Sequence, residues 1–453
     1  MILRERLLAA GGLDGLFLSD HRSERDLAGI VSGGRDATVT AALTGRRVLL
    51  AVGGQMAAAR AMIALDGLAA RLALVPPKLA PEHIARIASD AEAEICVTDA
   101  EGVPPGALPG LPRIDAEDVF RAGSASSRET EWALATSGTT GAPKLVAHTL
   151  EGLAGGINTA ATPEAGTVWS TFYDIRRYGG LQVFLRAMLG PSSLVLSEAS
   201  EPVRDYLIRV GERHVTHILG TPSHWRLALM SAALDRLNPR YVRLSGEIAD
   251  QTVLDALRIG FPQARIAHAY ASTEGGVGFT VEDGQEGFPA TLIGSRSGIE
   301  ITVRDDSLFV RSSRTGRRYL GEAPETLIAA DGFIDTGDLV ERRGERYHFL
   351  GRRSGVINVG GAKVQPEEVE TVINVFPGVS MSRVRARPNP ILGAVVEAEV
   401  VLCAEADADL AALKKAIIAH CRPRLAGHKV PASVKFVDAL PITAGGKLVR
   451  RGA

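Results

Sequence analysis

Residues 136–147 read TSGTTGAPKLVA. Thr136, Ser137, Thr139 and Thr140 bring hydroxyl donors, Gly138 and Gly141 let backbone amides approach a ligand without a Cβ in the way, and Lys144 adds a mobile positive charge. Such a loop suits a polyphosphate, although a Ser/Thr/Gly cluster taken alone is equally a flexible turn. It is not a Walker A loop. That pattern sets glycine, lysine and a hydroxyl residue side by side at a helix start, whereas here Ala142 and Pro143 separate Gly141 from Lys144. A P-loop NTPase is disfavoured, and the fold has to be read from what surrounds the loop.

On its N-terminal side, Ala/Leu-rich helical stretches such as MAAARAMIALDGLAARLA alternate with short β-like runs such as RVLLAV and EICVTD, which is the cadence of a doubly wound α/β region. On its C-terminal side the alternation resumes. Strands are expected at 192–197, 215–220 and 241–246, helices near 201–213, 222–233 and 250–260, and then a strand in ARIAHAYAS. From 290 to 350 the texture changes to short strands and turns, the pattern of a small antiparallel sheet or barrel. After Gly351 comes a compact α+β segment of about 100 residues. The expected organisation is a large N-terminal domain, 1–353, of doubly wound sheets with a barrel-like subdomain, followed by a small mobile C-terminal domain, 354–453.

At 453 residues the chain exceeds what one hydrophobic core usually serves. A formal net charge of -1 gives no electrostatic argument for nucleic acid. Cys96, Cys403 and Cys421 are far apart and match no zinc or CxxC spacing, which points to a reduced, cytoplasmic setting. Arg4, Glu5, Arg6 and Asp14 break up the apolar residues of the first segment, and no stretch reaches the roughly 18 apolar residues of a membrane span.

The opening stretch is similar to the phosphate loop of the adenylate-forming superfamily, which contains acyl-CoA synthetases, luciferases and the adenylation domains of peptide synthetases. Further stretches match in the same order. AYASTEGG (269–276) resembles the segment in which an aromatic ring stacks on adenine, a threonine contacts the α-phosphate and a glutamate holds Mg²⁺; these roles fall on Tyr270, Thr273 and Glu274. DTGDL (335–339) resembles the ribose motif, with Asp338 on the 2′ and 3′ hydroxyls and Arg352 as a second ribose contact. GRRSGVINVGGAKVQPEEVE (351–370) resembles the hinge and thioester motif. PITAGGKLVR (441–450) resembles the last motif, whose lysine is Lys447. Ala135, Leu145, Ala271 and Asn358 depart from the family's usual residues, none at a position whose polar atoms the chemistry needs.

The resemblance implies an ATP-dependent enzyme that turns a carboxylic acid into acyl-AMP and transfers the acyl group to the thiol of CoA. The alternative is a stand-alone adenylation enzyme loading an amino acid or aryl acid onto carrier-protein phosphopantetheine. A carboxylate is a poor electrophile, and its attack on an already negative α-phosphate needs oriented donors and cations. The phosphate-loop hydroxyls, Lys144 and Mg²⁺ on Glu274 would serve the phosphates, and Lys447 would bridge carboxylate and α-phosphate. Because Lys447 is far in sequence from the loop, the small domain has to close and later rotate. Ser354 is the expected hinge, and Gly360 and Gly361 would line the passage for the thiol arm. Gly246 and Glu247 of LSGE are expected on the nucleotide side. The acid pocket is expected from Phe172, Tyr173, Asp174, His224, Trp225, Gly275 and Gly276, whose aromatic density suggests a compact acyl or aryl acid; Asp174 is also where an amino-acid ammonium would be held.

Overall fold

Short apolar runs bounded by glycine and proline form two parallel sheets, and the helices between them are apolar on nearly every side. The computed structural model describes residues 2–33, 36–104, 106–121, 128–136, 143–158, 164–198, 200–296, 298–321, 326–403, 409–443 and 446–449. In the first sheet the strands Glu131–Ala135, Arg71–Leu74, Arg47–Ala51, Ile95–Thr98 and Arg113–Asp115 run parallel in that order. Leu145–Thr149 and Arg318–Leu320 add antiparallel strands at one edge.

The second sheet orders Gly276–Val281, Arg265–Ser272, Tyr241–Ser245, His217–Gly220, Val168–Thr171, Ser193–Val195, Phe17–Ser19 and Glu24–Asp26, with antiparallel pairs only at its two edges. Phe17–Ser19 thus pairs with Ser193–Val195, and Ser193 Oγ also accepts from Phe17 N at 3.1 Å. The helices Gln55–Leu65 and Tyr178–Leu189 lie between the two sheets and join one core with Leu50, Leu74, Trp132, Leu18 and Leu194. Doubly wound sheets are therefore what the alternation builds. The strand and helix positions read from the sequence between 192 and 272 agree with the observed ones to within a few residues.

The change of texture after residue 290 marks a separate antiparallel sheet, from Gly294–Arg296 through Ile299–Arg304, Ser307–Ser312 and Ile334–Arg343 to Arg346–Arg352 and Phe288–Pro289. A three-residue 3₁₀ turn, Arg353–Gly355, follows it. Beyond that turn, Ile357, Val364, Val369, Ile373, Val384, Val400, Ile417 and Val434 close a core of their own. It packs the helices Pro366–Asn374 and Leu410–Cys421 on the strands Val379–Asn389, Gly393–Leu402 and Ser433–Phe436. No helix among the described residues is long and apolar enough to cross a membrane.

Candidate active site

Pro222 at the first turn and Thr221 before it start the helix Pro222–Leu229 with a capping box: Thr221 Oγ1 accepts from His224 N at 3.1 Å, and Thr221 N donates to His224 Nδ1 at 3.2 Å. The exchange fixes the His224 ring. Phe172 stacks on it with centroids 5.1 Å apart, and Tyr173 meets its edge at 5.9 Å. Burial pushes the His224 pKa down to about 4, so the ring is neutral at pH 7.

Residues 446–449 return to this helix. Thr221 Oγ1 donates to Gly446 O at 2.6 Å, and Leu448 N donates to Glu247 Oε1 at 2.9 Å. Glu247 Oε2 accepts from Ser223 N at 3.0 Å, in the first turn of the same helix. Lys447, between these two attachments, reaches Gly246: its Cε would lie 3.2 Å from a Cβ built there, and Gly246 has a φ of +88° that favours glycine. Burial, and next the charge of Arg352, hold the Lys447 ammonium below its ordinary pKa against the opposing pull of Glu247, Asp338 and Glu274. The two domains also meet where Arg226, paired to Asp250, donates to Ser380 O at 3.2 Å, and where Leu227 joins Met381, Val401 and Leu440.

A second group forms at the third sheet. Asp338 and Arg352 are cross-strand partners, and Arg352 Nε donates to Asp338 Oδ1 at 3.0 Å. Tyr270 donates its hydroxyl to Asp338 Oδ2 at 2.7 Å, while its ring stacks with Phe349 at 5.4 Å and Phe279 at 5.6 Å. Asp338 raises the Arg352 pKa, and burial, then Asp338, raises that of Tyr270. Glu274 lies within electrostatic reach of both Arg352 and Lys447, and its carboxylate makes no hydrogen bond or ion pair among the described residues. Groups of three or more metal-ligating side chains are absent among the described residues.

The structure thus brings together Gly246, Glu247, Tyr270, Glu274, Asp338, Arg352 and Lys447. Thr273 and Gly275 lie in the turn that follows the strand carrying Tyr270, with Gly275 N donating to Ser272 Oγ at 2.8 Å. Thr136 N donates to Lys144 O at 2.8 Å, closing the base of the opening loop, and Lys144 Nζ lies over the Tyr319 ring at 5.1 Å. Ser137, Gly138, Thr139, Thr140 and Gly141 lie outside the described residues. Gly360 and Gly361 form the turn between Ile357–Val359 and Ala362–Val364, where Gly360 N donates to Leu392 O at 2.9 Å and Gly361 N to Asn358 Oδ1 at 3.0 Å.

Two expected pocket residues are placed elsewhere. Asp174 is buried and held by Arg176, which donates to its two oxygens at 2.8 and 2.7 Å, so its charge is already paired in the core rather than presented to a substrate ammonium. Trp225 is fully buried and packs on Phe261 in the core of the second sheet, meeting the pocket only through the edge of Phe172. Gly276, with φ +73°, sits against the backbone of Arg314, 2.6 Å from a built Cβ to Arg314 O. Thr221 and Ser223 were not singled out from the sequence, although the Thr-Pro pair before an apolar helix is a legible capping signal.

Comparison with known proteins accords with this geometry. The family model described as AMP-binding enzyme matches residues 42–317, and that described as AMP-binding enzyme C-terminal domain matches 368–447. The 2-succinylbenzoate–CoA ligases of Staphylococcus aureus, strains JH9 and Mu50 among them, are 26% identical over 328 residues, 70% of this chain and 65% of theirs. The matched region therefore spans just under two thirds of those relatives. Among solved structures, the anthranilate CoA ligase AuaEII in complex with anthranoyl-AMP superposes with a TM-score of 0.83 at 17% identity, covering 99% of this chain and 96% of that one. ATP-bound MatB from Rhodopseudomonas palustris gives 0.81 at 21% identity, covering 98% and 96%. The o-succinylbenzoate CoA synthetase MenE from Bacillus subtilis with its acyl-adenylate gives 0.76 at 19% identity over the same shares. At these identities the superpositions establish the fold. The first family model spans well over half of the sequence, and the chain belongs to the family of AMP-binding enzymes.

Proposed function

We propose that the chain is an ATP-dependent acid–thiol ligase, which adenylates a small carboxylic acid and passes the acyl group to the thiol of CoA. The observation that carries this reading is the seating of Lys447 against Gly246, with Glu247, Asp338 and Glu274 in its field. The names of the relatives support it, since 2-succinylbenzoate and anthranilate are carboxylic acids activated for CoA. A compartment that holds ATP and CoA, the cytoplasm, is the corresponding setting.

In the first half-reaction a carboxylate oxygen forms a bond to the α-phosphorus as the bond to the β-phosphate oxygen breaks and pyrophosphate leaves. Tyr270, Asp338 and Arg352 hold the nucleoside. Lys447 bridges carboxylate and α-phosphate and offsets the charge that builds between them, and Thr273 donates to the α-phosphate. Glu274 fits Mg²⁺, because its carboxylate makes no hydrogen bond or ion pair among the described residues and Mg²⁺ is commonly held by one or two carboxylates together with substrate phosphates. The ion would neutralise charge on the departing pyrophosphate. Lys144 and the loop 136–141 serve the same phosphates.

In the second half-reaction the thiol sulfur bonds to the acyl carbon, AMP leaves and the thiol proton is released. For this the domain 354–453 turns about Ser354, withdrawing Lys447 and bringing the Gly360–Gly361 turn to the thiol path. That turn is anchored within its own domain by Gly360 N donating to Leu392 O, so it would travel with the domain.

The test is pyrophosphate release with Mg-ATP and aryl, short-chain, long-chain and amino acids, with and without CoA, products being identified by mass. Acyl-CoA from one acid class is the expected result. Acyl-AMP without acyl-CoA would transfer the acceptor role to a carrier protein, and no pyrophosphate with any acid would overturn the reading.

A further inference from the structure

Arg243 stands in the middle of the strand Tyr241–Ser245, in register with Leu219 and Ala267, and only 6% of it is exposed. A guanidinium at that depth normally meets a carboxylate, because desolvating an unpaired charge is costly. Other enclosed arginines of this molecule obey the rule: Arg176 is held by Asp174, Arg226 by Asp250, Arg209 by Glu201 and Arg383 by Glu399. Arg243 does not. Its Nε is buried without a hydrogen bond, and it makes no ion pair among the described residues.

More positive charge surrounds it. Arg186, on the helix Tyr178–Leu189, has a buried Nε with no hydrogen bond among the described residues and donates from Nη2 to Gly156 O at 3.3 Å. Arg314 reaches the same backbone from the other side: a Cβ built at Gly156 would lie 3.8 Å from Arg314 Nη1 and 3.7 Å from Val277 Cβ. The Arg177 Nε, at the start of the helix, is also buried without a hydrogen bond among the described residues. The crowding registers in Arg186, whose pKa falls to about 10 through burial and then the charges of Arg243 and, more weakly, Arg314. The nearby carboxylates are engaged elsewhere: Asp174 holds Arg176, Asp250 holds Arg226, and Glu247 accepts from Ser223 N and Leu448 N.

This cationic group lies on the acid side of the candidate site. Tyr241, Arg243 and Ser245 share one face of their strand, since side chains alternate along it. On that face the Tyr173 hydroxyl bonds Ser245 O at 2.8 Å and Ser245 Oγ at 3.0 Å. Gly246, which Lys447 touches, is three residues beyond Arg243, about 10 Å along an extended strand. An acid with its reacting carboxylate at Lys447 would point its far end toward Arg243.

We propose that the acid is itself anionic at its far end, and that a second carboxylate, roughly 5–10 Å from the reacting one, completes the ion pair Arg243 lacks. The proposal rests on the reading of the site as an acid-adenylating centre and names its substrate class, a dicarboxylic acid. Arg243 is the specificity-determining residue. Arg186 and Arg314 supply the surrounding field.

The test compares succinate, glutarate, adipate, phthalate and terephthalate with their monomethyl esters in ATP–pyrophosphate exchange, using the full chain with Mg-ATP. The expected result is a kcat/KM for at least one diacid on the order of 100-fold or more above its ester, as for a site built around a polar group that the analogue lacks. In Arg243→Met that ratio falls to within about tenfold, chiefly through the diacid's KM, and the ester is still adenylated. Arg243→Lys, the more conservative change, retains an intermediate ratio and serves if the methionine variant does not fold. The unliganded Arg243→Met protein melts at or above the wild-type temperature, whereas loss of a merely structural arginine lowers it. Esters used as well as diacids, or both lowered alike by Arg243→Met, overturn the inference and leave the ligase reading standing. No exchange with any diacid or ester, while another acid of the wider panel is adenylated, overturns the inference alone; no exchange with any acid at all strikes the ligase reading, and this inference falls with it.

Discussion

Leu448 and Glu247, 201 residues apart, are joined by a backbone N–H to Oε1 bond of 2.9 Å. The other oxygen of the same carboxylate holds Ser223 N at the start of the helix Pro222–Leu229, so one side chain ties the catalytic-lysine segment to the large domain. Bonds to an ionised carboxylate contribute about 1.5–3 kcal/mol each. Glu247→Ala is expected to slow pyrophosphate exchange by roughly 10–100-fold. Acyl transfer from supplied acyl-AMP to CoA should hardly change, and equal losses in both assays would refute the latch.

Lys447→Ala should reduce adenylation by about 10²–10³, the usual cost of one transition-state donor. The ammonium is the working form, and burial lowers its pKa. Activity is therefore expected to decline as pH rises through that lowered value, earlier than an exposed lysine would titrate. Lys447→Arg, slower overall, should lose this alkaline limb, since arginine keeps its proton. Profiles of exchange rate between neutral and alkaline pH decide the matter.

Gly446 has a φ of +73°, and a Cβ built on it would lie 1.7 Å from His224 Cε1. No side chain fits there while the tail is seated. Gly446→Ala is expected to unseat Lys447 and reduce adenylation on the order of 10²-fold, a typical cost of misplacing a reacting group by about 1 Å. Adding His224→Ala makes room and should return part of the rate, so a strictly additive double variant would exclude the steric explanation.

His148 is buried on the strand Leu145–Thr149, and its ring nitrogens make no well-formed hydrogen bond among the described residues, the Thr273 backbone being a weak polar neighbour. Burial pushes its pKa down to about 4, as it does for His224. Between roughly pH 6.5 and 4 the unfolded chain takes up protons that the native state refuses. Stability from these rings is complete above that window and is lost as pH falls, at up to about 1.4 kcal/mol per pH unit for each. His148→Phe should leave stability at pH 7.5 unchanged or raised and flatten the acid slope in denaturant titrations at pH 7.5, 5.5 and 4.5.

The grouping of Tyr270, Asp338 and Arg352 was legible because each of these residues sits in a compact string, and strand register does the rest: Asp338 and Arg352 are 14 residues apart yet directly opposed. The sandwiched sheets were legible from alternating apolar runs and helices. Asp174 misled because its partner, Arg176, is two residues away and a sequence does not show which way a side chain turns. Arg243 was passed over for the converse reason. In YVRLS an arginine reads as a solvent-facing strand residue, and its isolation emerges only once the neighbouring strands and the helix Tyr178–Leu189 enclose it.

The pairing of Phe17–Ser19 with Ser193–Val195 also bears on how the chain is made. During synthesis the early strand exists long before its partner, and at 5–20 residues per second the ribosome takes roughly 10–35 seconds to supply it. Through that interval Leu18, fully buried in the finished fold, has no sheet to enter. Nascent chains stalled between residues 20 and 190 should therefore expose Leu18 to chaperones and to one another.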